Sequence, residues 1–152
     1  MTPIRHGTER TDDGAVVCAW LELPGVGRSE ALSAWTEPGL VRDWWGGELE
    51  ATLEMGGDYI VRFPALEQTM HGRVLAYHPE AGLAFTWTWE HEPAAPSREV
   101  EIRVVGLQDG TRVNIWHGNY GDTEKEESEA VDSQQGWEHF LPRLGSSLRV
   151  TS

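Results

Sequence analysis

The sequence predicts a single α+β domain: an antiparallel sheet of about seven strands, two short helices after the first strand and one long C-terminal helix. Three observations predict it. Apolar and polar residues alternate with period two in a series of short segments separated by turn residues, as hairpin-connected strands require. The helical patterns fall after the first strand and after the last, not between successive strands, which argues against a doubly wound parallel sheet. The length of 152 residues suits one domain. Such a domain hides roughly 68–70% of its unfolded surface and needs no disulfide or metal staple.

The elements follow in order. Residues 1–14 are polar, carry no period and read as a flexible N-terminal arm; residues 15–152 are the domain. Residues 15–23 make a strand with Val17, Ala19, Leu21 and Leu23 on one face and Cys18, Trp20 and Glu22 on the other. If this strand pairs with the last one, Trp20 and Trp116 point outward and meet as a cross-strand aromatic pair. After Pro24-Gly25-Val26-Gly27, Ser29 is a candidate N-cap for a short helix through Trp35, and Pro38-Gly39 separates it from a second, residues 40–45. Leu49, Ala51 and Leu53 then alternate with glutamates and Thr52, and Tyr59, Val61 and Phe63 follow the Met55-Gly56-Gly57-Asp58 turn. Residues 70–77 form a strand whose two faces are equally mixed, so its inward side is not assigned. Beyond the 78–82 turn, Leu83, Phe85, Trp87 and Trp89 share a face. Val100, Ile102 and Val104 share another, Asp109-Gly110 marks a hairpin, and Val113, Ile115 and His117 line the last strand. Thr123 to Glu126 resembles a capping box, and Trp137, Leu141, Leu144 and Leu148 form one helical stripe, on a helix that Pro142 should bend.

Charge narrows the partners. Twenty-five acidic against twelve basic residues give −13, a field that repels phosphate backbones and anionic lipid, so neither nucleic acid nor membrane is expected as a partner. A single cysteine excludes an internal disulfide. No stretch reaches the ~18 apolar residues of a membrane span. The first thirteen residues hold charged side chains and no apolar run, so the reading is a cytoplasmic protein, a monomer or weak homodimer.

Several motifs carry a family resemblance. Ala34-Trp35-Thr36-Glu37-Pro38 followed by Trp44-Trp45-Gly46, the Met55-Gly56-Gly57-Asp58-Tyr59 turn, the Leu83 to Trp89 strand, Gly110-Thr111-Arg112 through His117, and Gly136-Trp137 with Leu141 and Leu144 occur in order across residues 15–148. Together they resemble the START-like SRPBCC superfamily, in the branch of homologues of the activator of the heat-shock-protein-90 ATPase. The resemblance implies a helix-grip fold: a curved antiparallel sheet wrapped around a long C-terminal helix, with a cavity between them. Pro142 and the bulky His117-Gly118-Asn119-Tyr120-Gly121 segment depart from the family pattern beside the expected cavity mouth.

Catalytic and cofactor signatures are missing. The histidines lack the paired short spacings of a zinc site, so no metal is expected. Gly25-Val26-Gly27 lacks the later Gly and Lys of a phosphate loop, no Ser sits in a nucleophile elbow, and no cofactor is expected. His117, on an inner face at a strand end where an imidazole can titrate near neutrality, is the best acid–base candidate, with Tyr59 a second; the preferred reading of His117 is a hydrogen-bonded histidine closing the sheet against the last helix, because spacing identifies no partner carboxylate. The aromatic set is more informative, because it supplies more aromatic area than a compact core uses. The reading is therefore a small-molecule binding protein holding an apolar or aromatic ligand between helix and sheet. Its candidate contacts are Trp44, Tyr59, Phe63, Phe85, Trp87, Trp89, His117, Trp137, Phe140 and Leu141, with Tyr59 and His117 as polar anchors. The superfamily leaves alternatives: a cyclase or hydratase-like enzyme, a stress-related co-chaperone, or a self-resistance protein that sequesters a toxic natural product.

Overall fold

A computed structural model describes residues 4–150. Eight strands form one open antiparallel sheet: β1 (Arg5–Arg10), β2 (Val16–Pro24), β3 (Glu48–Ala51), β4 (Asp58–Phe63), β5 (Gln68–His78), β6 (Gly82–Trp89), β7 (Arg98–Leu107) and β8 (Gly110–Gly118). Their spatial order is β1-β2-β8-β7-β6-β5-β4-β3. The described residues also hold three α-helices, α1 (Arg28–Leu32), α2 (Pro38–Trp45) and α3 (Glu124–Val150), and 3-10 turns at Ser33–Trp35 and Pro64–Leu66. This is the expected α+β, helix-grip arrangement with one strand more than expected.

The extra strand is β1, in the segment expected to be an arm; residues 1–3 of that arm lie outside the described residues. Its alternation is invisible because an edge strand over a helix end buries little. What holds it is polar. It pairs with β2 in register from Arg5↔Glu22 to Arg10↔Val17. Arg10 donates to both carboxylate oxygens of Glu127 at 2.6 and 2.7 Å, and Thr8 donates to Glu138 Oε1 at 2.5 Å, so β1 is clasped to α3.

Period two predicts the buried faces of the other strands. Val17, Ala19, Leu21 and Leu23 of β2, Tyr59, Val61 and Phe63 of β4, Val100, Ile102 and Val104 of β7, and Val113 and Ile115 of β8 are all buried. The ambiguous strand has a physical explanation. β5 is irregular between Val74 and Ala76, where its register against β6 slips. Met70 and Val74 face the core before the slip, and Tyr77 packs against it afterwards. An extra residue in a strand inverts the alternation, which is why both faces read as mixed.

Helix ends differ in detail. α1 is capped by Gly27 with no side-chain cap, not by Ser29. α2 begins at Pro38 itself, whose missing N–H belongs to the unpaired first turn, and ends on Gly46 in the left-handed region at φ 74°. Thr123 caps α3 as expected, its Oγ1 accepting from the Glu126 N–H at 3.1 Å. α3 continues through Pro142 as one helix from Glu124 to Val150. Trp20 and Trp116 both lie on the outer face, but Trp20 is opposite Asn114 and Trp116 opposite Cys18, so they do not pair. Each ring instead takes an arginine, Arg112 over Trp20 at 4.5 Å and Arg103 over Trp116 at 5.7 Å.

Candidate functional site

The sheet's inner face is covered unevenly. Along β6, Leu83 and Phe85 are buried, whereas Trp87 and Trp89 on the same face are only half-buried. Beyond Phe85 the helix no longer seals the sheet, and a cavity of about 700 Å³ opens there. Its wall is aromatic: Trp45 from α2, Phe63 from β4, Trp87 and Trp89 from β6, and Trp137 and Phe140 from α3. Trp45 is the hub, with ring centroids 5.7 Å from Phe63, 5.9 Å from Trp87 and 6.0 Å from Trp137. Further lining comes from outside the sheet, from Ala65 and Leu66 after β4, His91, Glu92, Ala95 and Pro96 between β6 and β7, and Arg143 of α3. Gly136 of α3 also lines the cavity, and a Cβ added to it would meet nothing within 4 Å.

Six of the ten candidate residues thus stand in this wall: Phe63, Trp87, Trp89, His117, Trp137 and Phe140. Trp44, Tyr59, Phe85 and Leu141 do not; they are fully buried in the packing beneath it. Trp44 stacks on Trp45 at 4.8 Å and 7° and donates its Nε1–H to the Ala34 carbonyl at 2.7 Å. Tyr59 stacks on Phe85 at 4.1 Å and donates its hydroxyl to the Trp35 carbonyl at 2.6 Å. That bond removes Tyr59 as a polar anchor, and burial pushes its phenol far up, so it stays protonated.

His117 is 2% exposed. Its Nδ1 accepts from Trp137 Nε1–H at 3.2 Å, a bond that ties β8 to α3. The structural reading of His117, a hydrogen-bonded histidine closing the sheet against the last helix, is the one the geometry bears out, and the acid–base reading is not: burial, and then the charge of Arg98, push the imidazole down to about 3. The ring is neutral at physiological pH.

Beside it lies a buried cation. Arg98, 6% exposed, reaches Glu126 Oε1 at 3.2 Å and Glu129 Oε2 at 3.1 Å, and it also donates to the Asn119 carbonyl. Its guanidinium sits 4.5 Å above the Tyr120 ring. Tyr120 in turn shares a 2.6 Å hydrogen bond with Ser133. Two carboxylates, a carbonyl and a ring face together compensate the cost of taking this charge out of water. Among the described residues, no three His, Cys, Asp or Glu side chains are grouped to hold a metal ion, and no helix is long and apolar enough to cross a membrane.

A family model for Activator of Hsp90 ATPase homolog 1-like proteins matches residues 28–149. The chain belongs to this family. Among solved structures, CalU16 from Micromonospora echinospora is 25% identical with a TM-score of 0.68, over 97% of this chain and 84% of CalU16. DynU16, a protein in the dynemicin biosynthetic locus, is 24% identical with a TM-score of 0.77 over 93% of this chain, which spans 49% of DynU16. MLL2253 from Mesorhizobium loti is 19% identical with a TM-score of 0.79, over 90% and 98% of the two chains. No curated protein matches.

In this Activator of Hsp90 ATPase homolog 1-like chain, the cavity residues outside the candidate set include Trp45, Arg98, Tyr120 and Gly136. Arg98 carried a usable signal. It has the parity of Val100, Ile102 and Val104, so period two already turned it inward. Tyr120 lies past the end of β8, where alternation says nothing.

Proposed function

We propose that this protein binds a small, neutral, aromatic or polycyclic molecule in the cavity between α3 and the sheet. The observation that carries the reading is the cavity itself: about 700 Å³, walled by aromatic side chains from four separate elements. Ligand sites typically have volumes of ~300–1,000 Å³, apolar walls and a few polar groups. Carboxylates of Glu92, Glu129 and Asp132 stand in the lining, and the net charge is −13. Both disfavour an anionic ligand.

The enzyme alternative is weaker on chemical grounds. A histidine held neutral down to about pH 3 is a poor base at neutral pH. Its one hydrogen-bond partner among the described residues is an indole rather than a carboxylate. The co-chaperone alternative calls for an extended apolar surface, whereas the exposed large apolar side chains among the described residues are Met55, Leu66, Leu75 and Val131 on separate segments and the β7 neighbours Val105 and Leu107. Sequestering a toxic natural product is one biological use of the binding proposed.

The test is a panel of small planar aromatics titrated against tryptophan fluorescence, with Trp87→Ala as the control. Micromolar binding, about −8 kcal/mol, that weakens at least tenfold in the variant supports the reading. No binding by any member of the panel overturns it.

A further inference from the structure

Three buried side-chain atoms lack a hydrogen-bond partner among the described residues: Arg10 Nε, Trp35 Nε1 and His117 Nε2. Of these residues only His117 lines the cavity. Its chemistry can be read further than its burial. The indole nitrogen of Trp137 can only donate, so the bond at 3.2 Å makes His117 Nδ1 the acceptor. In a neutral imidazole the proton then resides on Nε2. The orphan is therefore a donor, an N–H in an aromatic wall, with Trp87 at 4.9 Å and Tyr120 at 5.9 Å between ring centroids.

The neighbouring polar groups are already engaged. Tyr120 is bonded to Ser133, and Arg98 to Glu126, Glu129 and the Asn119 carbonyl. A ligand donor would meet the N–H head-on. A ligand carboxylate would meet Glu129 and Asp132 in the same wall. A neutral acceptor meets neither obstacle.

We propose that the ligand carries a neutral hydrogen-bond-accepting oxygen, an aryl carbonyl of the ketone or quinone kind, which His117 Nε2–H meets in the cavity. The inference rests on the cavity-binding reading and adds the ligand's chemistry to it.

Three planar tricycles of nearly equal shape separate the possibilities: fluorene, with no polar group; 9-fluorenone, with an acceptor; and carbazole, with a donor. Equilibrium dialysis against the full chain is expected to rank 9-fluorenone roughly tenfold above fluorene, the preference expected when a stranded donor gains its partner. Carbazole is expected to rank no higher than fluorene. In His117→Phe the ratio of 9-fluorenone to fluorene affinity is expected to fall to about one, whatever happens to the absolute affinities. The infrared carbonyl stretch of bound 9-fluorenone, which needs no variant, is expected at lower frequency than in an apolar solvent. Equal binding of fluorene and 9-fluorenone, a preference that survives His117→Phe, or an unshifted stretch overturns the inference and leaves the binding reading intact. Failure of all three molecules to bind overturns both.

Discussion

His117 shows how one side chain couples position to stability. Its folded imidazole resists protonation until about pH 3, whereas in the unfolded chain it accepts a proton near its ordinary 6.5. Between those values the unfolded state binds the extra proton, so stability is full above about 6.5 and falls as pH drops toward 3. Glu127, held below its ordinary 4.5 by the Arg10 hydrogen bond, acts in the same direction but at lower pH. The interval from 6.5 to 4.5 therefore isolates the histidine. Urea unfolding at successive pH values should show wild-type stability falling across that interval, with a flatter profile in His117→Phe; parallel profiles would contradict this account. At this scale the sequence placed His117 on the right face and pointed to its structural role against the last helix, but could not show how far its titration is shifted. Parity along a strand gives direction, while the seal of Trp137 and the charge of Arg98 come from residues distant in the chain. Tyr59 was misjudged for the same reason: its hydroxyl is bound by a carbonyl 24 residues away.

Among the elements, α3 has one position where stability and binding should part. Gly136 faces open space in the cavity, and glycine inside a helix costs about 1 kcal/mol relative to alanine. Gly136→Leu should hold or raise the denaturation midpoint by up to about 1 kcal/mol of stability, yet abolish ligand binding by filling the space. A loss of stability together with retained binding would show that the helix does not face the ligand. The buried faces of β2, β4, β7 and β8 were legible because each is covered on one side only, which enforces alternation. β5 was illegible because its slip near Val74 inverts that alternation, and β1 because salt bridges, not burial, hold an edge strand. The cavity's aromatic wall was legible in part. The sequence names the rings on the inner faces, but only packing decides that Trp44 and Phe85 go under the wall and Trp45 into it.

For the whole molecule, charge is the dominant long-range term. A net −13 over 152 residues opposes compaction, and most of the ion pairs that would offset it are exposed on at least one side, as in Arg5–Glu22, Arg62–Glu50 and Lys125–Glu92. Exposed pairs contribute about 0–1 kcal/mol each. Raising ionic strength from about 10 mM to about 150 mM shortens the screening length from ~30 to ~8 Å. It should therefore raise the thermal midpoint at pH 7. A lower midpoint would mean that the clasp of Arg10 on Glu127 and the Arg98 cluster outweigh the repulsion.

That clasp also governs the order in which the molecule is made. Thr8 meets Glu138 and Arg10 meets Glu127, contacts spanning 130 and 117 positions of the chain. A growing chain exposes its first strand long before the partner helix has been synthesised, at roughly 5–20 residues per second. Until then Trp87 and Trp89 lack the Trp137 and Phe140 side of their wall, and the clasp cannot form. Contacts of such long range make folding slow. Pulsed hydrogen exchange during refolding should find the β1–β2 ladder and α3 gaining protection together, in the last phase. A nascent chain would thus hold its aromatic strand uncovered for several seconds, and the cavity would be the final feature to exist.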